Sequence, residues 1–409
     1  YGDVVTVWAN ASIGSTFIEF TGNLTGTITP QTLFIDGDKA VDATFMLYTP
    51  GPSDWWDVDW LYRREIVIDH SKVVEDLVNF PVFIDIISGD FVGHAQFDGD
   101  DFVFTNVSGF KLSHEIESYD SSIGRLVAWV RVPFLSSGVD TVLYLYYGNP
   151  SVSSQQDVVG TWSGNGFRGV YHLSENWSTS SGHFKDSSGN NQHGTLVDVN
   201  VNSVSDLGVA GGAFRFSGDA DFIDIGVINH NHPITYSVWL KADDIDQARC
   251  ALGRYWNGYY LGTSSYDTGR LRQQIYVGNN WGCYSMRSGS SNVWYLLTVT
   301  YDGNVIRYYT DGVEDKSQVL VGSLSGTTWP WHIGDNGNSG YFWAGVVDEV
   351  RLANAVFSGG WIGTYYVNVF SPSSFYSVSA EQMNGPYTLT LTTSGTGSGT
   401  IEASPSGSY

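Results

Sequence analysis

The chain has 409 residues, and its 42 acidic residues against 19 lysines and arginines give a net charge of −23, which argues against nucleic acid or an anionic membrane as a partner. Aromatic residues make up 15% of the chain and glycine fills 48 positions, a composition that favours turn-rich β-sheets over helices. No run of about 18 apolar residues occurs, so the sequence predicts no membrane insertion within this chain.

The first 47 residues have the pattern of the C-terminal half of a small β-repeat. Residues 1–10 alternate as a strand does, and residues 33–45 (Leu-Phe-Ile-Asp-Gly-Asp-Lys-Ala-Val-Asp-Ala-Thr-Phe) end the pattern. Residues 385–409 contain a strand, a glycine-rich turn and a second strand, which is the pattern of the N-terminal half. Joined from Tyr409 to Tyr1, with no residue missing, the two halves resemble the extracellular internalin B-repeat.

A β-repeat divided in this way is expected to complete its sheet with the complementary half of a neighbouring copy, as a strand completes an open sheet edge. The sequence therefore predicts a head-to-tail array. Separate subunits would form an open filament, whereas tandem copies along one polypeptide would give the same contacts without any break in the chain. An arbitrarily trimmed fragment is the alternative.

The next segment predicts a linker followed by a β-sandwich. Residues 48–54 form the linker, because two prolines flank a glycine there. From residue 55 to 160, short alternating strands follow one another. The motifs of this region include Trp60-Leu-Tyr-Arg, Ala128-Trp-Val-Arg-Val-Pro and Leu145-Tyr-Tyr-Gly-Asn. In their order they resemble a domain of unknown function that precedes laminin-G-like modules in archaeal and bacterial surface proteins, and this resemblance implies no biochemical role.

Residues 161–384 carry a second ordered set of motifs. They include Val170-Tyr-His-Leu, Gly212-Ala-Phe-Arg-Phe, Tyr236-Ser-Val-Trp-Leu and Gly345-Val-Val-Asp-Glu-Val-Arg. This set resembles the concanavalin A-like, laminin-G-like jelly roll, and the resemblance implies a small helix near Ser358–Tyr366, which Gly359 and Gly360 weaken. The fold class predicted for the whole chain is all-β, with a β-sandwich, a jelly roll and a β-repeat split between the ends.

The jelly-roll resemblance implies a calcium ion (Ca2+) beside the sheet edge, with a structural role in fixing two loops. Calcium takes six to eight oxygen ligands, and suitable donors are present. The predicted ligands are Asp186, Asn190, Asp219 and Asp348. Alternatively, Asp186 and Asn190 form Asx-turns, and Asp348 pairs with Arg351 or Arg215.

Cysteines and glycosylation sequons both fit an extracellular protein at the cell surface. Cys250 and Cys283 predict one disulfide, with two buried thiols as the alternative. Asn-x-Ser/Thr sequons are candidate glycosylation sites in an exported chain. They lie at Asn10, Asn23, Asn106 and Asn176.

Sequence patterns typical of catalysis are missing, so we predict that the protein is not an enzyme. The chain contains no Glu-x-Asp-x-x-Glu strand of jelly-roll glycosidases, no Gly-x-Ser-x-Gly elbow and no His-Glu-x-x-His motif. Glu115 and Glu117 share one face of a predicted strand and His114 lies on the other. That strand is interpreted as facing solvent.

Aromatic residues crowd the loops of the jelly roll, where rings could stack on sugars. Trp256, Tyr259 and Trp281 are the predicted carbohydrate contacts. Two functions remain. The first is an extracellular structural protein, one repeat or subunit of a head-to-tail cell-surface filament or repetitive adhesin whose partners are neighbouring copies of itself. The second is a carbohydrate-binding, lectin-like module of a large secreted protein, with glycans as partners.

Overall fold

The computed structural model describes residues 3–9, 15–47, 55–197, 204–228, 233–254, 258–264, 268–278, 284–324, 328–337 and 340–384. These residues form mostly β-strands arranged in several sheets, which confirms the predicted all-β class. The predicted linker and the predicted C-terminal half-repeat lie outside the described residues. No described helix is long and apolar enough to cross a membrane.

The N-terminal unit consists of two antiparallel strand pairs. Its strands are β1 (Asp3–Val7), β2 (Ser15–Gly22), β3 (Gln31–Ile35) and β4 (Val41–Leu47), with β1 paired to β3 and β2 to β4. Among the side chains of this unit whose burial is described, Ala9, Phe20, Leu24 and Leu33 form a small apolar cluster.

One side of the β1–β3 pair is apolar and exposed. Val4 lies directly opposite Phe34 in the register, so both side chains stand on the same face. Val4 is 66% exposed, Phe34 53%, and Trp8, which continues the same alternation, 64%. We call the surface formed by these three residues the outer face of β1–β3.

The first sandwich follows the predicted series of short strands. Its strands are β5 (Tyr62–Ile68), β6 (Leu77–Ile87), β7 (Val103–Asn106), β8 (His114–Asp120), β9 (Arg125–Leu135) and β10 (Thr141–Tyr147), with helix α1 (Gly89–His94) after β6. One sheet has the order β6–β9–β8, and the other places β10 between β5 and β7. Helix α2 (Val158–Trp162) then leads into the jelly roll.

The jelly roll consists of two facing sheets. Its strands are β11 (Phe167–Tyr171), β12 (Thr195–Val197), β13 (Val204–Leu207), β14 (Gly212–Ser217), β15 (Phe222–Asp224), β16 (Ile234–Ala242), β17 (Cys250–Arg254), β18 (Tyr259–Thr263), β19 (Arg270–Gln274), β20 (Tyr284–Ser288), β21 (Trp294–Tyr301), β22 (Val305–Thr310), β23 (Val313–Val319), β24 (His332–Ile333) and β25 (Ala344–Ala353). The first sheet runs β13–β14–β25–β16–β21–β22–β23, with β11 also paired to β25, and the second runs β12–β15–β24–β17–β18–β19–β20.

The C-terminal part of the described chain returns to the first sandwich. Helix α3 (Gly359–Phe370) begins after Ser358, whose hydroxyl accepts a hydrogen bond from the Trp361 amide, so the predicted helix forms and is longer than expected. After α4 (Pro372–Phe375), strands β26 (Tyr376–Val378) and β27 (Gln382–Met383) pair with β5. The structure thus differs from the sequence-based boundary, which left residues through 384 in the jelly roll.

A single hydrophobic core joins the two sandwiches. It contains Phe83 and Trp129 from the first sandwich, Trp239 and Leu296 from the first jelly-roll sheet, and Trp361 from α3. Neighbouring residues of β16 instead face the core between the two jelly-roll sheets. Strand β16 is therefore buried on both faces.

The edge of β6 is sealed by side chains instead of a further strand. The Asn368 amide of α3 donates to the Phe83 carbonyl (3.0 Å) and accepts from the Phe83 amide (2.7 Å). The Tyr376 hydroxyl bonds both backbone groups of Asp85 in the same way, at 2.7 and 3.1 Å. These contacts satisfy edge groups that would otherwise be buried without partners.

Replacing Asn368 by alanine should lower the free energy of unfolding by about 2–3 kcal/mol, because it leaves the buried amide and carbonyl of Phe83 unpaired. Chemical denaturation of the two proteins measures the difference. Asn304→Ala, at an exposed position, is the control and should change stability little. Equal effects of the two substitutions would show that the Asn368 contacts do not stabilise the junction.

Candidate functional site

Four carboxylates, one histidine and one arginine meet where the first sandwich packs on the jelly roll. This junction cluster consists of Glu115, Glu117, His172, Asp348, Glu349 and Arg351. The first two come from β8, the histidine follows β11, and the last three belong to β25. Asp348 is fully buried, and the other five side chains are at most 10% exposed.

Two β-bulges bring these acids together. In β8 the register shifts between Ile116 and Ser118, so that Glu117 is an extra residue. A second shift lies on β25, opposite Ser237 and Trp239, and Glu349 there has a φ of 49°, a left-handed backbone that is uncommon for glutamate. Neighbouring residues of a regular strand point to opposite faces. The bulge lets Asp348 and Glu349 both reach the junction.

His172 lies between two glutamates from different sandwiches. Its Nδ1 is 2.5 Å from Glu349 Oε1, and its Nε2 is 3.3 Å from Glu115 Oε2. Burial alone would lower the pKa of His172, but the charges of Glu349 and Glu115 outweigh burial and raise it well above its usual value. The ring is therefore an imidazolium that donates one hydrogen bond to each glutamate.

The two glutamates that contact His172 are ionised. Burial is the largest influence and acts to raise the pKa of both carboxyls. The His172 charge, together with hydrogen bonds and, for Glu349, the charge of Arg351, outweighs burial, so the pKa of Glu115 and of Glu349 falls below the usual value. Glu115 also accepts hydrogen bonds from Trp162 Nε1 (2.5 Å) and Ser187 Oγ (2.6 Å). Glu349 accepts one from Arg351 Nη2 at 2.7 Å.

Arg351 is held by aromatic rings as well as by its ion pair. Its guanidinium carbon lies 4.3 Å from the ring centre of Trp129, 4.6 Å from that of Trp162 and 4.4 Å from that of Tyr365. Such cation–π contacts strengthen when water is excluded. Trp129 belongs to the first sandwich, Trp162 to the connecting helix α2 and Tyr365 to helix α3. The Arg351 guanidinium therefore contacts all three parts of the junction.

The other two acids hold protons. Burial raises the pKa of Glu117 to about 8, with His172 opposing the shift and Glu349 adding to it. Burial, with the charges of Glu349 and Glu117, also raises the pKa of Asp348 well above its usual value. At neutral pH the cluster therefore has two negative glutamates, two positive partners and two neutral acids, which gives it no net charge.

This arrangement is suited to holding two domains together. Every member is enclosed by protein, and each ionised group has a partner of opposite sign within the cluster. Glu117, His172 and Glu349 approach within 4.8 Å of one another. Because His172 and Arg351 already supply positive charge to the cluster, we assign no metal ion to these three residues.

The predicted calcium ligands lie in separate hydrogen-bond networks. The Asp186 carboxylate accepts from the backbone amides of Val170, Ser188 and Gln192, and the Asn190 side chain donates to the Phe167 carbonyl. Asp348 belongs to the junction cluster, and the amide of Asp219 donates to the Ser217 hydroxyl. Asp348 does not pair with either predicted arginine, because Arg351 bonds Glu349 and Arg215 bonds Asp206 and Asp243. The calcium site stays a prediction.

The structure corrects one of the three predicted sugar contacts. Tyr259 is fully buried between the two jelly-roll sheets, and the guanidinium of Arg254 lies 4.3 Å from its ring centre. Its ring therefore offers no face to a ligand. Trp256 and Trp281 lie outside the described residues.

The other predicted sites are tested only in part. Cys250 is buried, and Cys283 lies outside the described residues, so the disulfide stays a prediction. Among the sequons, Asn23 and Asn176 are exposed and Asn106 is half-buried. Asn10 is not among the described residues.

The sequence analysis missed the junction cluster because it placed Glu115 and Glu117 on a solvent-facing strand, and that interpretation was wrong. A bulge and a partner histidine from another sheet bury both side chains. His114 does face the opposite side, where burial lowers its pKa to about 4. The sequence did contain one signal for this cluster: His172 and the pair Asp348-Glu349 are charged residues within two of the ordered jelly-roll motifs.

Comparison with family models covers two parts of the chain. Residues 217–363 match the concanavalin A-like lectin/glucanases superfamily, in its laminin-G-like branch. Residues 98–194 match a domain of unknown function, DUF2341. None of the curated protein sequences compared with the chain matches it. The internalin B-repeat resemblance stays a prediction.

Solved structures with partial similarity include domain 4 of the extracellular GH43 arabinanase AbnA from Geobacillus stearothermophilus, in complex with arabinotriose. That domain is 17% identical over 49% of this chain and 97% of its own, with a TM-score of 0.34. The receptor-binding domain of botulinum neurotoxin type G is 13% identical over 49% of this chain and 51% of its own, with a TM-score of 0.37. The chain spans about half the length of the toxin domains it matches.

Replacing His172 by alanine should lower the free energy of unfolding by about 3–5 kcal/mol, because it leaves Glu115 and Glu349 buried with fewer partners. Chemical denaturation at pH 7 measures the loss. His70→Ala is the matched control, since it removes a histidine–aspartate pair whose side chains are 44% and 50% exposed, and it should change stability little. If both variants lose the same small amount, the cluster does not hold the junction.

Proposed function

We propose that the protein is an extracellular structural protein, one subunit or repeat of a head-to-tail assembly at the cell surface. The observation that carries this proposal is the outer face of β1–β3, where Val4, Trp8 and Phe34 are 66%, 64% and 53% exposed. Adjacent large apolar side chains that face water commonly mark a surface that another protein covers. The partner on this face is a second copy of the chain.

The segment that fits this face is residues 387–409 of the neighbouring copy. Its first part, Tyr387-Thr-Leu-Thr-Leu-Thr, alternates as an edge strand does. Within the described residues, β1 pairs only with β3 and β2 only with β4. Isolated two-stranded sheets are marginal in water, and a further strand supplies both backbone hydrogen bonds and apolar cover.

The rest of the chain serves as a rigid spacer in this proposal. The hydrophobic core that joins the two sandwiches and the neutral junction cluster fix the distance and angle between them. A repeating assembly needs a unit of constant shape, because bending at a hinge within each unit would accumulate along the array. The enclosed cluster supports a structural role over a catalytic one. Exposed Asn23 and Asn176 fit a glycosylated surface protein.

Carbohydrate binding is the second candidate function, and the match of residues 217–363 to a superfamily that includes lectins favours it. Trp177 and Trp329 are 38% and 41% exposed in the jelly-roll half of the chain. Aromatic side chains of this kind can stack on sugar rings.

Phe34→Asp should prevent assembly of the full chain, because a carboxylate on the outer face of β1–β3 would have to be buried against the incoming strand. Light scattering across a concentration series, with electron microscopy of the same samples, measures the size of the particles. Val139→Asp is the matched control, since Val139 is 66% exposed on the first sandwich, and it should assemble like the wild type. A wild-type protein that stays monomeric at all concentrations, or equal assembly of both variants, would contradict the proposal.

A glycan array separates the two candidate functions. The assembly proposal predicts no saturable binding to the array by wild-type protein. If binding is found and Trp329→Ala or Trp177→Ala removes it while thermal stability is retained, the carbohydrate-binding function replaces the structural one. Binding that both variants retain equally would place the sugar contact on other residues and would still contradict a purely structural role.

A further inference from the structure

A polar side chain occupies a core position between the two sheets of the jelly roll. Gln273 of β19 lies between Leu271 and Ile275, which both belong to that core, and it is 2% exposed. Its amide nitrogen donates to the Tyr309 carbonyl at 3.0 Å and to Thr310 Oγ1 at 3.2 Å. Its carbonyl oxygen is buried and has no hydrogen-bond partner in the described structure. A buried amide that is only partly satisfied is costly and calls for an explanation.

Thr310 has the surroundings of an activated nucleophile. Its side chain is fully buried, and its hydroxyl donates a hydrogen bond to Asp315 Oδ2. Asp315 is the extra residue of a bulge between β22 and β23. Its other oxygen accepts a hydrogen bond from Arg287 Nη1 at 2.8 Å. A hydroxyl that is bonded to a base, with a third group orienting the base, is the arrangement that nucleophilic catalysis requires.

The Thr310 hydroxyl lies close to the amide group of Gln273. Because Gln273 Nε2 is 3.2 Å from Thr310 Oγ1 and an amide C–N bond is about 1.3 Å long, the carbonyl carbon Cδ lies within about 4.5 Å of that oxygen. Reacting atoms meet at about 3–3.5 Å. The terminal torsion of a glutamine side chain is broad, so a rotation about it can turn the face of the amide towards the hydroxyl.

We propose that Thr310 and Gln273 form an intramolecular ester bond that links the two sheets of the jelly roll. Thr310 Oγ1 forms a bond to Gln273 Cδ while Asp315 accepts the hydroxyl proton. Asp315 then passes this proton to Nε2, the C–N bond breaks with its electron pair on nitrogen, and ammonia leaves. One hydroxyl and one amide become one ester and one ammonia, so the step consumes no other reactant. This inference does not depend on the proposed assembly.

The ester would improve the core and fasten the sheets to each other. An ester carbonyl is a weaker hydrogen-bond acceptor than an amide carbonyl, so an unpartnered Gln273 Oε1 costs less in the product. Both side chains are enclosed, which keeps out the water that would hydrolyse the bond. Strand β22 belongs to the first jelly-roll sheet and β19 to the second. The bond therefore closes a loop between residues 273 and 310 and restricts the unfolded chain, as other cross-links do.

The test is the intact mass of the full chain, measured under denaturing and reducing conditions after the folded protein has been incubated at neutral pH until its mass is constant. We expect a mass that is lower than that of the sequence by one ammonia. Cyanogen bromide cleaves after Met286, between the two linked residues, and should leave residues 47–286 joined to residues 287–383. Hydroxylamine, which cleaves esters, should then separate the two fragments. A mass equal to that of the sequence, or fragments that separate without hydroxylamine, would overturn the proposal.

Three variants test the assigned roles. Thr310→Val removes the nucleophile and should keep the full mass of its sequence. Thr298→Val is the matched control, since Thr298 is a 2% exposed threonine of β21 whose hydroxyl has no hydrogen-bond partner, and it should lose ammonia like the wild type. Asp315→Asn should lose ammonia about a hundredfold more slowly, because asparagine cannot accept the proton.

Equal loss of ammonia from Thr310→Val and from the wild type would contradict the assignment of Thr310. The wild-type measurement needs no variant, so it decides the question even where a variant folds poorly.

Discussion

The structure depends on neutralising four carboxylates that are enclosed between two domains. Burying a charge without a partner costs several kcal/mol, on the order of the stability of a whole domain. His172 and Arg351 balance two of the acids, and protons on Glu117 and Asp348 neutralise the others. Because the balance requires β8, β25 and the segment after β11 in fixed positions, it selects one arrangement of the two sandwiches.

The two joined sandwiches and the N-terminal unit differ in how their apolar side chains are covered. From Ile66 to Tyr376 most of the core residues form two large clusters, and the one that contains Trp129 and Trp239 crosses the junction. In the N-terminal unit, by contrast, Val4, Trp8 and Phe34 are exposed. A rigid body joined to a small β unit with an exposed apolar face fits the proposed assembly, in which a neighbouring copy covers that face.

The sequence predicted the features that depend on local patterns. Alternation identified the strands of the first sandwich, ordered motifs identified the jelly roll, and Ser358 capped a helix despite Gly359 and Gly360. The junction cluster could not be predicted in this way, because it depends on bulges at Glu117 and Glu349 and on residues distant in the sequence. Tyr259 was misassigned because the analysis grouped it with the aromatic residues of loops, whereas it begins β18 and its ring lies in the core between the two sheets.

The central claim is that a second copy of the chain completes the N-terminal unit. Equal amounts of chains with light and heavy nitrogen, unfolded and refolded together, can be treated with a carbodiimide, which joins amino to carboxyl groups without a spacer. Mass spectrometry then analyses the peptides that link residues 1–47 to residues 385–409. The account predicts that mixed light–heavy pairs make up about half of the cross-links, as expected for random pairing between copies. Cross-links confined to peptides of the same label would mean that each chain completes its own repeat, and would contradict the account.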